Sequence, residues 1–206
     1  MLMRSALPCA PVRAQSLALL DRHLAATIDL HGQVKHAQWN LRGPGVASVH
    51  EPLDKVAIAL GHYSDLMAVQ ADMLGGTVQG TVQAAAARSF LAPYPLDRAT
   101  APTHAVAVVG AMEALAHSVR RAGAHAQGCG DKDTAALLDE VARGIERQIW
   151  TIGSLAAAAA NHLLRSRTRA GGSTNGIRPD RPARRATDRP AALADAFATA
   201  AAEATP

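Results

Sequence analysis

Imidazole nitrogen and carboxylate oxygen together suit iron, zinc or manganese, and one stretch of this chain places four such groups on one side of a helix. With His50 at zero and 100° per residue, Asp54 falls at about 40°, Asp65 at about 60° and Asp72 at about 40°. A solvated polar face carries the same residues, so their spacing along the axis decides what they can do. Asp54 and Asp65 are eleven positions apart, about 16 Å at 1.5 Å per residue. One ion cannot bridge that gap within a chain. A second copy of the helix, crossing antiparallel, would bring His50 and Asp54 of one subunit to Asp65 of the other. That arrangement is an isologous two-fold interface, and it would build the site twice per pair.

The elements that must hold these residues read as helices throughout. Aromatic residues make up only 3% of the chain while alanine and leucine abound, which suits closely packed helices and disfavours sheets. Leu17, Leu20, Leu24 and Ile28 recur at three and four residues and predict a first helix over residues 13–41, ended by Gly43-Pro44-Gly45. Val49, Leu53, Val56, Leu60, Tyr63 and Met67 predict a second over 48–74, stopped by Gly75-Gly76. Ser48 and Glu51 have the S-x-x-E spacing of a capping box, with Pro52 just inside the first turn. A third long helix over 103–126 ends at Gly128 and Gly130, and a fourth starts near Asp131 and Asp133, whose carboxylates suit a helix N-terminus. The fourth helix has a seam of Val141, Ile145, Ile149, Ile152 and Leu155 and runs to about residue 163. The connection over 77–102 holds Pro93, Pro95, Pro102 and a short Ala-rich helix near 82–90. Its length lets the second and third long helices run parallel. The expected fold is therefore all-α: a four-helix bundle with one long crossover, the ferritin-like arrangement.

The expected organisation is a flexible N-terminus over 1–12, the bundle over 13–163 and a tail over 164–206. Residues 1–163 hold 10 Arg and 3 Lys against 13 Asp and Glu, so the formal +4 lies wholly beyond them. Residues 164–190 hold 8 Arg, 2 Asp and no aromatic residue, too little apolar surface to offset the entropy of ordering. Arg165, Arg167, Arg169, Arg178, Arg181, Arg184, Arg185 and Arg189 are thus expected on a mobile tail that binds nucleic-acid phosphate without reading sequence. Cys9 and Cys129 lie far apart and form no zinc or C-x-x-C spacing, which points to a reducing compartment. No apolar run reaches the roughly 18 residues of a membrane span, and Pro8 and Pro11 break the N-terminal stretch that a secretory signal would need. A cytoplasmic, nucleoid-associated protein with no membrane partner is the expectation.

The run from Asp29 to Gly43 (DLHGQVKHAQWNLRG), followed by His50-Glu51-x-x-Asp54, Asp65 and Leu74-Gly75-Gly76, resembles the Dps family of mini-ferritins. Tyr94-Pro95-Leu96-Asp97 and Asp131-Lys132-Asp133-Thr134-Ala135 are similar to later landmarks of that family. The resemblance implies a twelve-subunit shell with di-iron sites at its two-fold interfaces, where Fe(II) is oxidised by peroxide and stored, and DNA binding by many members. It assigns His50, Asp54 and Asp65 as metal ligands, sets Trp39 beside the site, and brings Asp131 and Asp133 near an iron uptake route. Two positions depart from the pattern. The residue before the tryptophan is Gln38 rather than histidine, and Val69 stands where a glutamate follows the second aspartate by four residues. A neutral amide oxygen is a weaker iron ligand than imidazole, and valine supplies none. His36 lies about 200° round the helix from Gln38 and cannot simply substitute. Asp72 lies on the right face but one turn beyond Val69. The reading is an iron-binding, DNA-protecting shell whose ferroxidase centre is weakened or lost. An active peroxide-dependent ferroxidase and an architectural DNA binder without an iron role are the alternatives, and zinc or manganese would also suit the remaining ligands.

Overall fold

The computed structural model describes residues 7–43, 46–96 and 100–170. The first helix, α1 (Ala10–Asn40), begins three residues earlier than expected, because Pro11 occupies its first turn, where no N–H is needed. Its buried stripe of Leu20, Leu24, Thr27, Leu30, Val34 and Ala37 keeps the three-and-four spacing of one helical face. The next, α2 (Val46–Met73), buries Val49, Leu53, Val56, Leu60, Tyr63 and Met67. The expected capping box is not at a helix end: Ser48 and Glu51 both lie inside α2, since the apolar periodicity continues back to Val46. Pro52 is therefore an interior proline, and the Ser48 carbonyl lacks its helical donor. Helix α2 closes with Gly75 at φ +75° and a hydrogen bond from the Gly76 N–H to the Ala71 carbonyl at 2.9 Å.

The crossover carries α3 (Val82–Arg88), capped by the Thr81 hydroxyl, which accepts from the Ala84 N–H at 3.2 Å. Polar contacts hold the crossover along α1. Arg88 pairs with Asp21 and donates to the Gln79 carbonyl at 2.7 Å, Ser89 donates to Asp29 at 2.5 Å, and Gln33 donates to the Ala92 carbonyl at 3.2 Å. Helix α4 (Ala101–Gly128) again starts earlier than expected, with Pro102 accommodated in its first turn. Helix α5 (Lys132–Ala170) continues past residue 163, so Arg165, Arg167 and Arg169 lie on helical backbone rather than in an irregular tail. Leucine, arginine and alanine are good helix formers, and nothing breaks the helix before Gly171-Gly172. Arg178, Arg181, Arg184, Arg185 and Arg189 lie outside the described residues.

Helix α1 packs on α2 and α4, and α2 packs on α5, so the long helices stand in the order α1, α2, α5, α4 around one core. This is the ferritin-like four-helix bundle with a short helix in its crossover. Leu20, Leu30, Leu53, Leu60, Met67, Met112, Leu115, Leu138, Ile145 and Ile152 are almost wholly buried in it. Each such side chain contributes about 1.5–3 kcal/mol of burial. Two polar links cross the core. His23 Nδ1 donates to the Leu19 carbonyl at 2.7 Å, leaving Nε2 to accept from the Ser118 hydroxyl at 2.9 Å, which ties α1 to α4. Burial holds this imidazole below its ordinary pKa and therefore uncharged. Gln70 donates to Thr134 at 3.1 Å and ties α2 to α5.

Helices α2 and α5 meet closely where Tyr63 lies over Gly144, and a Cβ at that glycine would run into the phenol. Gly144→Ala should destabilise the fold by about 1–3 kcal/mol through overpacking. Gly110→Ala meets open space in α4 and should stabilise it by up to about 1 kcal/mol. Chemical denaturation of the two variants reads both signs, and equal midpoints would contradict the packing.

Candidate metal centre

The rotation of α2 is set by its buried leucines, and it turns the predicted donors outward. His50, Asp65 and Asp72 are exposed, Asp54 is half-buried, and Val69 stands on the same side at 58% exposure. Helix α1 flanks this face with Gln38, which is buried, and Trp39, which is 70% exposed. Among the described residues no three His, Cys, Asp or Glu side chains are gathered closely enough to hold a metal ion. That agrees with the eleven positions separating Asp54 from Asp65 on one straight helix.

One carboxylate of the set already has partners. Gln38 Nε2 donates to Asp54 Oδ1 at 3.2 Å, and Lys35 Nζ stands 3.5 Å from the same oxygen. Lys35 also donates to Gln38 Oε1, so the amide accepts from the ammonium on one side and donates to the carboxylate on the other. The Gln38 hydrogen bond holds the Asp54 carboxyl below its ordinary range, and Lys35, by hydrogen bond and charge, and the nearby His50 lower it further. The ammonium lies 5.9 Å from the Trp39 ring centroid, within cation–π range. Lys35 is the participant that sequence reading missed. Its signal was present, since Lys35 and Gln38 are three positions apart and so share a face of α1.

The remaining predicted positions separate. His36 turns away from Gln38 and packs edge-on against Tyr94 with ring centroids 5.3 Å apart. Asp131 is 2% exposed, and its Oδ1 accepts from the Thr134 N–H at 3.1 Å, capping α5. Asp133 is the exposed carboxylate of that pair.

A match to the ferritin-like domain family, Ferritin, covers residues 17–160. The DNA protection during starvation protein of Agrobacterium fabrum (strain C58 / ATCC 33970) is 32% identical over 142 residues, spanning 68% of this chain and 88% of that protein. The chain belongs to the Dps family of ferritin-like proteins. Among solved Dps structures, DpsC from Streptomyces coelicolor is 28% identical with a TM-score of 0.67, covering 73% of this chain and 90% of that one. Dps from Microbacterium arborescens, solved in a high iron form, is 25% identical with a TM-score of 0.67 over 74% of this chain and 99% of its own. No helix among the described residues of this Dps-family chain is long and apolar enough to cross a membrane.

Replacing Gln38 with alanine removes the largest cause of the Asp54 shift. In Gln38→Ala the Asp54 carboxyl should titrate closer to its ordinary value, as read by carboxyl-carbon NMR, while an unmoved titration would contradict the assigned cause.

Proposed function

We propose that this protein assembles into a Dps-type shell that binds iron and protects DNA, with a ferroxidase centre weakened by its own resident cation. The observation that carries this reading is Lys35, whose ammonium and Gln38 relay already occupy one oxygen of the carboxylate that incoming Fe(II) would need. Fe(II) is the substrate and the stored cargo. His50 and Asp54 would bind it from one subunit and Asp65 from the next. Val69 supplies no donor, so two ions brought together there would lack one negative charge that a glutamate provides.

The outward face of α2 supports the pairing of subunits. If Asp54 of one copy meets Asp65 of another, the antiparallel register is centred between Ala59 and Leu60, and it sets Ile58 of each against Gly61 of the other. Ile58 is 68% exposed in the single chain, and Gly61 has open space where a side chain would be. A branched apolar residue against a glycine is a close fit between helices. The same register places His50 opposite Val69. A dodecamer built on such pairs would store iron inside, and Asp133 offers an exposed carboxylate for its uptake route.

Anaerobic Fe(II) loading followed by peroxide, monitored by ferric absorbance, tests the centre. The unmodified protein should oxidise Fe(II) slowly, Asp65→Ala should abolish the protein-dependent part, and the double variant Gln38→His with Val69→Glu should accelerate it. Rapid oxidation by the unmodified protein that is indifferent to Asp65→Ala would overturn the assignment.

Nucleic-acid binding is assigned to the arginines beyond Leu164. Their charges would act on phosphate without base contacts, and many tails on one shell would multiply a weak contact. Deleting residues 171–206 should remove most DNA retardation, and deleting 165–206 all of it, with the assembly intact by light scattering. Undiminished retardation by the longer deletion would place the DNA surface elsewhere.

A further inference from the structure

The crossover returns to the bundle at a polar cluster that iron handling leaves unused. The Tyr94 hydroxyl is hydrogen-bonded to His104 Nδ1 at 2.8 Å, and the two rings are nearly parallel, with 3° between their planes and centroids 6.1 Å apart. Tyr94 is half-buried, whereas His104, in the first turn of α4, is 2% exposed. The His104 ring lies near the backbone of Asn40, where α1 ends, and its Nε2 is fully buried with no hydrogen-bond partner.

The tautomer follows from that placement. With the phenol O–H donating to Nδ1, the neutral ring carries its own proton on Nε2. Burial, with a smaller contribution from His36, lowers the His104 pKa and keeps the ring neutral. Burial also pushes the Tyr94 phenol up to about 12. The resting pair is a neutral phenol donating to a neutral imidazole.

We propose that Tyr94 is a redox-active side chain that gives up one electron while His104 takes its proton. A phenol that loses an electron becomes a far stronger acid, so oxidation is easiest where a base already holds the hydrogen bond. The oxidant is of the hydroxyl-radical class that Fe(II) and peroxide generate. The electron reduces that radical to hydroxide, the phenol O–H bond breaks, and the proton moves to His104 Nδ1. Tyr94 is left as a neutral phenoxyl radical. His104 acts here as a positioning residue and proton acceptor.

The chain has two tyrosines, and among the described residues only Tyr94 is hydrogen-bonded to a histidine, so Tyr63 is an internal control. The test uses the full chain without iron, oxidised by flash-photolysed ruthenium tris-bipyridyl with persulfate and read by freeze-quench EPR. A tyrosyl signal should appear in the unmodified protein and in Tyr63→Phe, vanish in Tyr94→Phe, and fall strongly in His104→Leu. Its formation in the unmodified protein should slow in heavy water, a measurement that stands even where His104→Leu does not fold. A tyrosyl signal that survives Tyr94→Phe, or a rate indifferent to heavy water, overturns the inference. Because iron is absent, neither result depends on whether the Asp54 centre oxidises Fe(II).

Discussion

An α-helix rises 1.5 Å per residue and does not fold back on itself, so two carboxylates eleven positions apart on α2 cannot meet one ion. That limit divides the labour of the helix. Its inner face, built on Leu53, Leu60 and Met67, anchors it against the rest of the bundle. Its outer face keeps His50, Asp54 and Asp65 away from the core, available to something outside the chain. A rotation of α2 by a single residue would turn every donor by about 100° and bury a carboxylate. The close contact between Tyr63 and Gly144 resists such a rotation. Packing far from the polar residues thus governs where they point.

Electrostatics refines what the outward face offers. A carboxylate on an exposed helix is ordinarily solvated and ready for a cation. Asp54 instead shares an oxygen between an amide and an ammonium contributed by α1, and its affinity for protons drops accordingly. The pairing depends on the packing of α1 against α2. Lys35 in turn rests its charge near the exposed Trp39 ring, so one ammonium meets both an aromatic face and a carboxylate.

The bundle was legible because apolar residues at three and four positions leave little choice: Leu20 and Leu24 of α1, the stripe from Val49 to Met67 of α2, and Val141, Ile145 and Ile152 of α5 are buried, with Leu17, Ile28 and Ile149 partly so. The ends were harder. Pro11 and Pro102 read as breakers but sit in first turns, where a missing N–H costs nothing. Ser48 and Glu51 matched a capping pattern whose meaning depends on where the helix begins, and Val46 had already begun it. Residues 164–170 were judged by charge, yet their backbone follows helix propensity. Within the site, angular arithmetic placed His50, Asp54 and Asp65 on one side. Lys35 escaped because its role arises between two helices, whereas Asp131, read as a carboxylate suited to a helix N-terminus, does cap α5.

The strap of contacts from the crossover to α1 also bears on how the chain reaches its fold. The α1–α2 and α4–α5 pairs are hairpins of neighbouring helices and can form from local encounters, whereas Arg88 meets Asp21 across 67 residues. Closing so long a loop is slow, and a partly exposed ion pair repays it with only about 0–1 kcal/mol. The apolar faces of the two hairpins, and not this polar strap, therefore supply the driving force that holds the bundle together. Held by partly exposed polar contacts and few buried apolar side chains, the crossover is the segment expected to open at lowest cost while the leucine core beneath it stays closed.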